Sequence, residues 1–154
     1  MKAACTLVLS ATIAMTASLA SADGHGGNPA VKARQAHMQL YGFNLGILGA
    51  MAKGETEYNA DAAMAAANNL ATVSALNQSA YWAEGTDNEA LGDETKALPA
   101  LWGADSNAAE IASDLVIAAA SLAEVAGDGQ EAIGPALGPV GQACGACHKA
   151  YRAK

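Results

Sequence analysis

Four stretches of the chain repeat apolar residues at intervals of three and four, which is the spacing of an amphipathic α-helix. The first two stretches begin after Asn28 and Asn59, which are good helix N-caps. No stretch alternates convincingly between apolar and polar residues as a strand would. We therefore expect an all-α fold, an antiparallel four-helix bundle. The predicted helices lie at about 29–53, 60–81, 107–126 and, for the last, up to about 153.

Prolines and glycines mark the breaks between these helices. Pro135 and Pro139 fall in the first turns of the fourth stretch, and because proline disrupts a helix interior we expect regular helix only from Pro139. Residues 84–105 form a long predicted loop, punctuated by Gly85, Gly92, Pro99 and Gly103. A loop of this length is uncommon in a compact domain and usually has a function. We expect Trp102 to fix it to the core.

The first helix is apolar on two sides. Met38, Tyr41, Leu45 and Leu48 form one stripe, and a second apolar stripe lies opposite, at Ala36, Leu40, Phe43 and Ile47. A helix that is apolar all round is normally buried on two sides. We therefore hypothesise a homodimer through this helix, with Gly42, Gly46 and Gly49 allowing close backbone approach. Alternatively, these glycines only loosen the helix, at about 1 kcal/mol each.

The first 22 residues have the features of a signal peptide. Lys2 precedes an apolar run, and Ala20-Ser21-Ala22 is a cleavage site of the A-x-A type. We expect cleavage after Ala22, export to the periplasm, and a mature single domain over residues 23–154 with no membrane span. Without Lys2, seven basic and fifteen acidic residues remain, so the mature chain has a net charge of −8. Such a chain has no basic field for nucleic acid.

The mature chain has two cysteines, both in the sequence Cys144-Gly-Ala-Cys147-His148. Cys-x-x-Cys-His is the spacing for covalent attachment of haem c. On a helix, residues three and four apart share a face, so both cysteines can bond the two vinyl groups at one edge of a porphyrin. His148 can then ligate the iron on the proximal side. The alternatives are a redox disulfide and half of a zinc site, for which few other ligands remain.

This ending resembles that of the class II cytochromes c, which comprise the cytochromes c′ and their low-spin relatives of the c-556 type. The resemblance extends over the whole mature chain. Its most specific part is Cys144 to His148 followed by Tyr151-Arg152. Further similarities are Arg34-Gln35 followed by Met38, the run from Leu48 to Gly54, Gly85-Thr86-Asp87, and Leu101-Trp102.

The resemblance implies roles for two residues of the first helix. It places Met38 over the distal face of the haem, where a methionine ligates the iron in the c-556 type, and Arg34 beside a haem propionate. Met38 could instead merely fill the core, and Arg34 could be an ordinary surface residue. His37 points about 100° away from Met38 on a helix, and His25 lies in the leader, so we discount both as ligands.

Two functions follow, according to whether Met38 ligates the iron on the distal face of the haem. With Met38 bound, the protein is a periplasmic electron carrier that serves redox partner proteins and is not an enzyme. With the face open, it is a cytochrome c′ that binds NO or CO. Lys149, Arg152 and Lys154 gather near the haem-bearing helix and could dock an acidic partner. They could equally be a solvated helix C-terminus, where cations suit the helix dipole.

Overall fold

The computed structural model describes residues 27–154. Four long helices form the bundle, with α1 packed on α2 and α5, and α4 packed on α2 and α5. A short helix, α3, lies in the connection between α2 and α4. The part of the chain that the structure describes contains no β-strand, which confirms the predicted all-α four-helix fold. The helices are α1 Pro29–Ala52, α2 Ala60–Ser74, α3 Asn88–Leu91, α4 Ala108–Val125 and α5 Gln130–Tyr151.

The expected signal peptide, residues 1–22, lies outside the described residues. Within residues 27–154, no helix combines the length and the apolar character needed to cross a bilayer.

The predicted caps start the first two helices. The Asn28 side chain accepts hydrogen bonds from the backbone N–H groups of Ala30 and Val31, at 2.9 and 3.3 Å. The Asn59 side chain accepts one from Ala62 N at 2.9 Å. Each bond satisfies a donor that the first helical turn leaves without an intrahelical partner.

Large aliphatic side chains from all four long helices meet in the core. The most deeply buried of them are Leu48, Leu70, Leu122, Ile133 and Val140. Helix α2 adds only small residues around Leu70, which lets its neighbours approach closely; these are Ala63, Ala66 and Ala67.

Helix α2 is shorter than its apolar pattern predicts. It ends at Ser74, and its last turn is closed by a hydrogen bond from Ser74 Oγ to the carbonyl of Ala71 at 2.9 Å. The chain then turns, and Asn77 Oδ1 accepts from Ser79 N at 3.0 Å, at the start of a 3₁₀ turn over Ser79–Tyr81. The apolar residues beyond Ser74 therefore belong to a cavity wall and not to a helix stripe.

Helix α5 is longer than predicted, because it runs through Pro135 and Pro139 without interruption. Both prolines are exposed, and so is Glu131, whose carbonyl, like that of Pro135, loses its helical donor to a proline four residues later. The opposite face is anchored in the core by Ile133 and Val140. The expectation that regular helix begins only at Pro139 was wrong, since tertiary packing outweighs the local cost of the prolines.

Candidate cofactor site

A cavity of about 960 Å³ opens between α1, α4, α5 and the connection that precedes α4. Its size is at the upper end of the range of about 300–1,000 Å³ that ligand sites occupy. Met38 of α1 lines it, together with Cys144, Cys147 and His148 of α5. The structure thus brings four of the five predicted site residues onto the wall of one cavity.

Helix α5 forms one wall of the cavity. Cys144 and Cys147 lie one turn apart as half-buried free thiols, and burial raises the pKa of both. Burial lowers the pKa of His148, and the positive charge of Arg152 lowers it further. Both effects favour the neutral imidazole, which is the form that ligates a metal.

The zinc alternative finds no support in the cavity. Within residues 27–154, no three His, Cys, Asp or Glu side chains come together in a geometry that could hold a metal ion. A structural zinc site almost always takes four ligands.

Helix α1 forms another wall of the cavity. Met38 is about one-third exposed, at 36%, and Tyr41 follows it one turn later on the same wall. The hydroxyl oxygen of Tyr41 accepts a hydrogen bond from Gln78 Nε2 at 3.5 Å, which ties α1 to the connection after α2.

His37, which lies between these two wall residues in sequence, does not line the cavity. It is buried at 4% exposure, with its ring centre 4.7 Å from that of Tyr41 and 5.8 Å from that of Tyr81. Its Nε2 atom is buried without a hydrogen-bond partner among the described residues.

Arg34 is the fifth predicted site residue, and its guanidinium is buried beside the cavity without lining it. It donates to the side chains of Thr86 and Thr95, at 2.7 and 2.6 Å, and to the main-chain carbonyls of Thr86 and Tyr81. These four bonds involve both terminal nitrogens, so only the Nε–H is left without a partner in the structure. Burial lowers the pKa of Arg34, and the nearby carboxylate of Asp87 partly offsets that effect.

The guanidinium of Arg34 also connects this network to two aromatic cavity walls. Its central carbon lies 5.1 Å from the ring centre of Trp82 and 6.0 Å from that of Trp102. Trp102 Nε1 donates to the carbonyl of Trp82 at 2.8 Å, which joins the two ends of the long connection. Trp102 thus holds the loop through Trp82 and Arg34, and it is not among the residues packed against the hydrophobic core, where it was expected.

Sequence reasoning missed two parts of the cavity wall. Trp82 was overlooked because it follows a helix that was predicted to run to residue 81. On α4, a row of small residues leaves space where large side chains would fill the cavity. The row is Ala108, Ala109, Ala112 and Ser113. Its spacing places it on one helix face, a signal that was readable in the sequence.

The C-terminal end of α5 is fixed in place by contacts with other parts of the bundle. The Tyr151 hydroxyl donates to Asn107 Oδ1 at 2.7 Å and accepts from Asn107 N at 2.9 Å. An isolated antiparallel β-bridge joins Arg152 to Ala97. These contacts hold the cysteine-bearing turns against the start of α4 and the connection that precedes it.

The sequence profile of the family described as Cytochrome C′ matches residues 29–152, which is nearly the whole of the described structure. The chain belongs to the cytochrome c′ family. It is 38% identical over 139 residues to a cytochrome c′ of Allochromatium vinosum, covering 90% of this chain and 89% of the relative. It is 34% identical over 131 residues to a cytochrome c-556 of Agrobacterium tumefaciens, covering 80% of this chain and 97% of the relative.

A solved structure agrees with the fold of the whole bundle. It is a cytochrome c′ described as having an unusual ligand-controlled dimer dissociation, 38% identical, with a TM-score of 0.73. The match covers 81% of this chain and 95% of that chain.

Membership of this family confirms the predicted class of protein and its cofactor, covalently bound haem c. The cavity fits such a group, because two thiols three residues apart and an adjacent imidazole meet a large space with mainly apolar walls. Cys144 and Cys147 are the residues that would hold the macrocycle. The relatives are electron-transfer haem proteins that include both cytochrome c′ and cytochrome c-556.

Proposed function

We propose that the protein is a periplasmic electron carrier in which His148 and Met38 both ligate the haem iron. One observation carries this proposal: Met38 lines the same cavity as Cys144, Cys147 and His148 although it lies on a different helix. We propose no catalytic role for the chain.

The bound haem c supplies a one-electron couple between ferric and ferrous iron. The residues of the chain set its properties. A methionine sulfur paired with a histidine nitrogen raises the reduction potential and leaves no position for an external ligand. Trp82, Trp102 and the alanines of α4 give the cavity mainly apolar walls, and an apolar environment also tunes the potential.

The alternative is a five-coordinate cytochrome c′ that binds NO or CO on an open distal face. One observation favours it. Gly42 lines the cavity one turn after Met38, and a Cβ atom built there would meet nothing within 4 Å beyond its chain neighbours and the backbone of α1. The space on this side would let the Met38 side chain turn away from the iron.

Carbon monoxide uptake by the reduced protein distinguishes the two functions. We expect the wild type to take up CO slowly or not at all, and Met38→Ala to bind it rapidly with one CO per haem. The ferric wild type should also show the long-wavelength sulfur-to-iron charge-transfer band, which Met38→Ala should lack.

Met64→Ala is the matched control for Met38→Ala. Met64 lies on α2 with a similar exposure of 38% and does not line the cavity. It should leave the band and the CO response unchanged. Rapid stoichiometric CO binding by the wild type would refute Met38 ligation and support the gas-binding function.

We propose further that the Nε–H of Arg34 donates a hydrogen bond to a haem propionate. Arg34 lies one turn before Met38 on α1, and its guanidinium faces Trp82 and Trp102, which both line the cavity.

We also propose that two copies pair through α1. Phe43 and Leu40 are 68% and 50% exposed on this helix. Cβ atoms built at Gly46 and Gly49 would meet no atom within 4 Å beyond their chain neighbours and the backbone of α1 itself, so these glycines are not needed for packing against the rest of the chain. The solved relative described above has a dimer that dissociates under ligand control.

A further inference from the structure

Four exposed basic side chains lie together at the end of the bundle where α5 stops. Among residues 27–154 seven residues are basic; Arg34 is buried and the other six are exposed. We call the group formed by Lys96, Lys149, Arg152 and Lys154 the basic end. Only Lys149 lies within the last turn of α5, and Lys96 comes from the connection before α4. The helix dipole alone therefore does not explain the group.

Hydrogen bonds between two chain segments hold the basic end in shape. Ala153 N donates to the carbonyl of Lys96 at 2.8 Å, and Leu98 N donates to the carbonyl of Tyr151 at 2.9 Å. Lys96 Nζ donates to the main-chain oxygen of Lys154 at 3.0 Å. The backbone that carries Lys96, Arg152 and Lys154 is thus folded into a defined surface and is not a loose tail.

The positive charge of the basic end is opposite in sign to the net charge of the molecule. The mature chain has a net charge of −8. Within the described residues, no aspartate or glutamate lies within salt-bridge distance of the basic end. By contrast, the side-chain nitrogen of Lys53, at the C-terminal end of α1, lies 3.7 Å from a carboxylate oxygen of Glu55.

The basic end adjoins the cofactor cavity. Lys149 directly follows His148, which lines the cavity together with Cys147. Arg152 lies about one helical turn further along the chain. A partner that docks here therefore comes close to the edge of the cavity.

We propose that the basic end is the docking surface for a redox protein that presents a cluster of carboxylates. Net charge repels such a partner from the rest of the molecule, so local attraction orients it at this end. A reduced partner loses one electron and the ferric iron gains it, and no bond forms or breaks. The proposal rests on the electron-carrier function, whichever ligand occupies the distal face.

Oxidation of the reduced protein by ferricyanide, measured at several salt concentrations, tests whether electrons leave beside the basic end. The net charge alone would repel this trianion, so the rate would rise with added salt. If electrons leave beside the basic end, the wild-type rate falls instead as salt is raised from about 10 to about 300 mM, because salt screens the local attraction. Lys149→Glu/Lys154→Glu should react roughly tenfold more slowly at low salt and reverse the trend.

Lys53→Glu/Thr56→Glu/Gln130→Glu is the matched control, since these exposed positions make the same change in net charge where α1 ends and α5 begins, away from the basic end. It should keep a rate that falls with salt. A wild-type rate that rises with salt, or equal effects of the two variants, would overturn the proposal. This result is independent of the CO and spectral tests of Met38, so either conclusion can fail alone.

Binding of poly-L-glutamate to the ferric holoprotein tests the chemistry of the partner without electron transfer. NMR chemical shifts should move at residues 96 and 149–154, and both the shifts and the binding should be lost in Lys149→Glu/Lys154→Glu but not in the control. No binding of the polymer would overturn the proposal. Tighter binding to phosphatidylglycerol vesicles than to the polymer, lost in the same variant, would replace the acidic protein with a membrane surface.

Discussion

Arg34 is buried with its charge, and four hydrogen bonds to the long connection satisfy its terminal nitrogens. We expect Arg34→Lys to lower the free energy of unfolding of the holoprotein by about 2 kcal/mol. A lysine keeps the charge but cannot donate to Thr86 and Thr95 in the same planar fork. Urea unfolding measures the loss, and near-ultraviolet circular dichroism reports on Trp82 and Trp102.

The same variant tests the propionate role. If Arg34 serves a propionate, its replacement also shifts the reduction potential. If Arg34→Lys leaves the free energy of unfolding unchanged but shifts the reduction potential, the hydrogen bonds from Arg34 to the long connection contribute little to stability. Lys32→Ala, an exposed position on the same helix, should change neither property.

His37 is buried without a partner for Nε2, and burial lowers its pKa. In the unfolded chain its pKa is near the ordinary value of about 6.5. The unfolded state therefore binds a proton first as the pH falls, so stability is complete above about pH 6.5 and decreases below it. We expect His37→Phe to be about 1 kcal/mol more stable than the wild type at pH 8, because it removes an unpaired buried nitrogen.

The advantage of His37→Phe should grow as the pH is lowered from 8 to 5, since phenylalanine takes up no proton. Urea unfolding of both proteins at several pH values measures the difference, and groups common to both proteins cancel. A constant difference would show that His37 does not titrate on unfolding.

At the scale of the element, α1 exposes an apolar face and glycines that no contact within the chain requires. We expect Gly46→Ala to stabilise the separated monomer by about 1 kcal/mol, because alanine is the better helix former. If two α1 helices approach closely at this residue, the added methyl group should weaken self-association at least tenfold. Sedimentation velocity over a range of concentrations measures the association.

The comparison for Gly46→Ala is Gly141→Ala on α5, which is also exposed and where the added Cβ would meet nothing within 4 Å beyond its chain neighbours and the backbone of its own helix. It should raise helix stability without affecting association. Equal association of both variants and the wild type would exclude a contact at Gly46. A wild type that sediments as a monomer at micromolar concentration would exclude the proposed dimer.

At the scale of the whole molecule, cleavage after Ala22 and covalent attachment of one haem together determine the mass of the mature protein. We expect denaturing electrospray mass spectrometry of the periplasmic protein to give residues 23–154 plus one haem, since thioether bonds survive denaturation. Cys144→Ala/Cys147→Ala should lose the haem mass. Cys5→Ala should leave the mature mass unchanged, because Cys5 falls within the segment that we expect to be removed. A mature mass that includes Cys5 would contradict cleavage after Ala22.

Local patterns were enough for several features of this protein. Helical periodicity predicted the bundle, and asparagine caps predicted where α1 and α2 begin. The Cys144–His148 spacing predicted the cofactor, because two thiols and an imidazole within five residues of one helix need no information from elsewhere in the chain. The resemblance added Met38 and Arg34 as candidates from one helix.

Only the tertiary structure decided how distant segments meet. It ended α2 at Ser74 and carried α5 through two prolines, because packing energy outweighs local preference where a buried face is fixed. It placed Met38 on the wall of the cavity that His148 also lines, and turned Arg34 toward Thr86 and Thr95. It also joined Lys96 to the end of α5, a contact across more than fifty residues that no local pattern encodes.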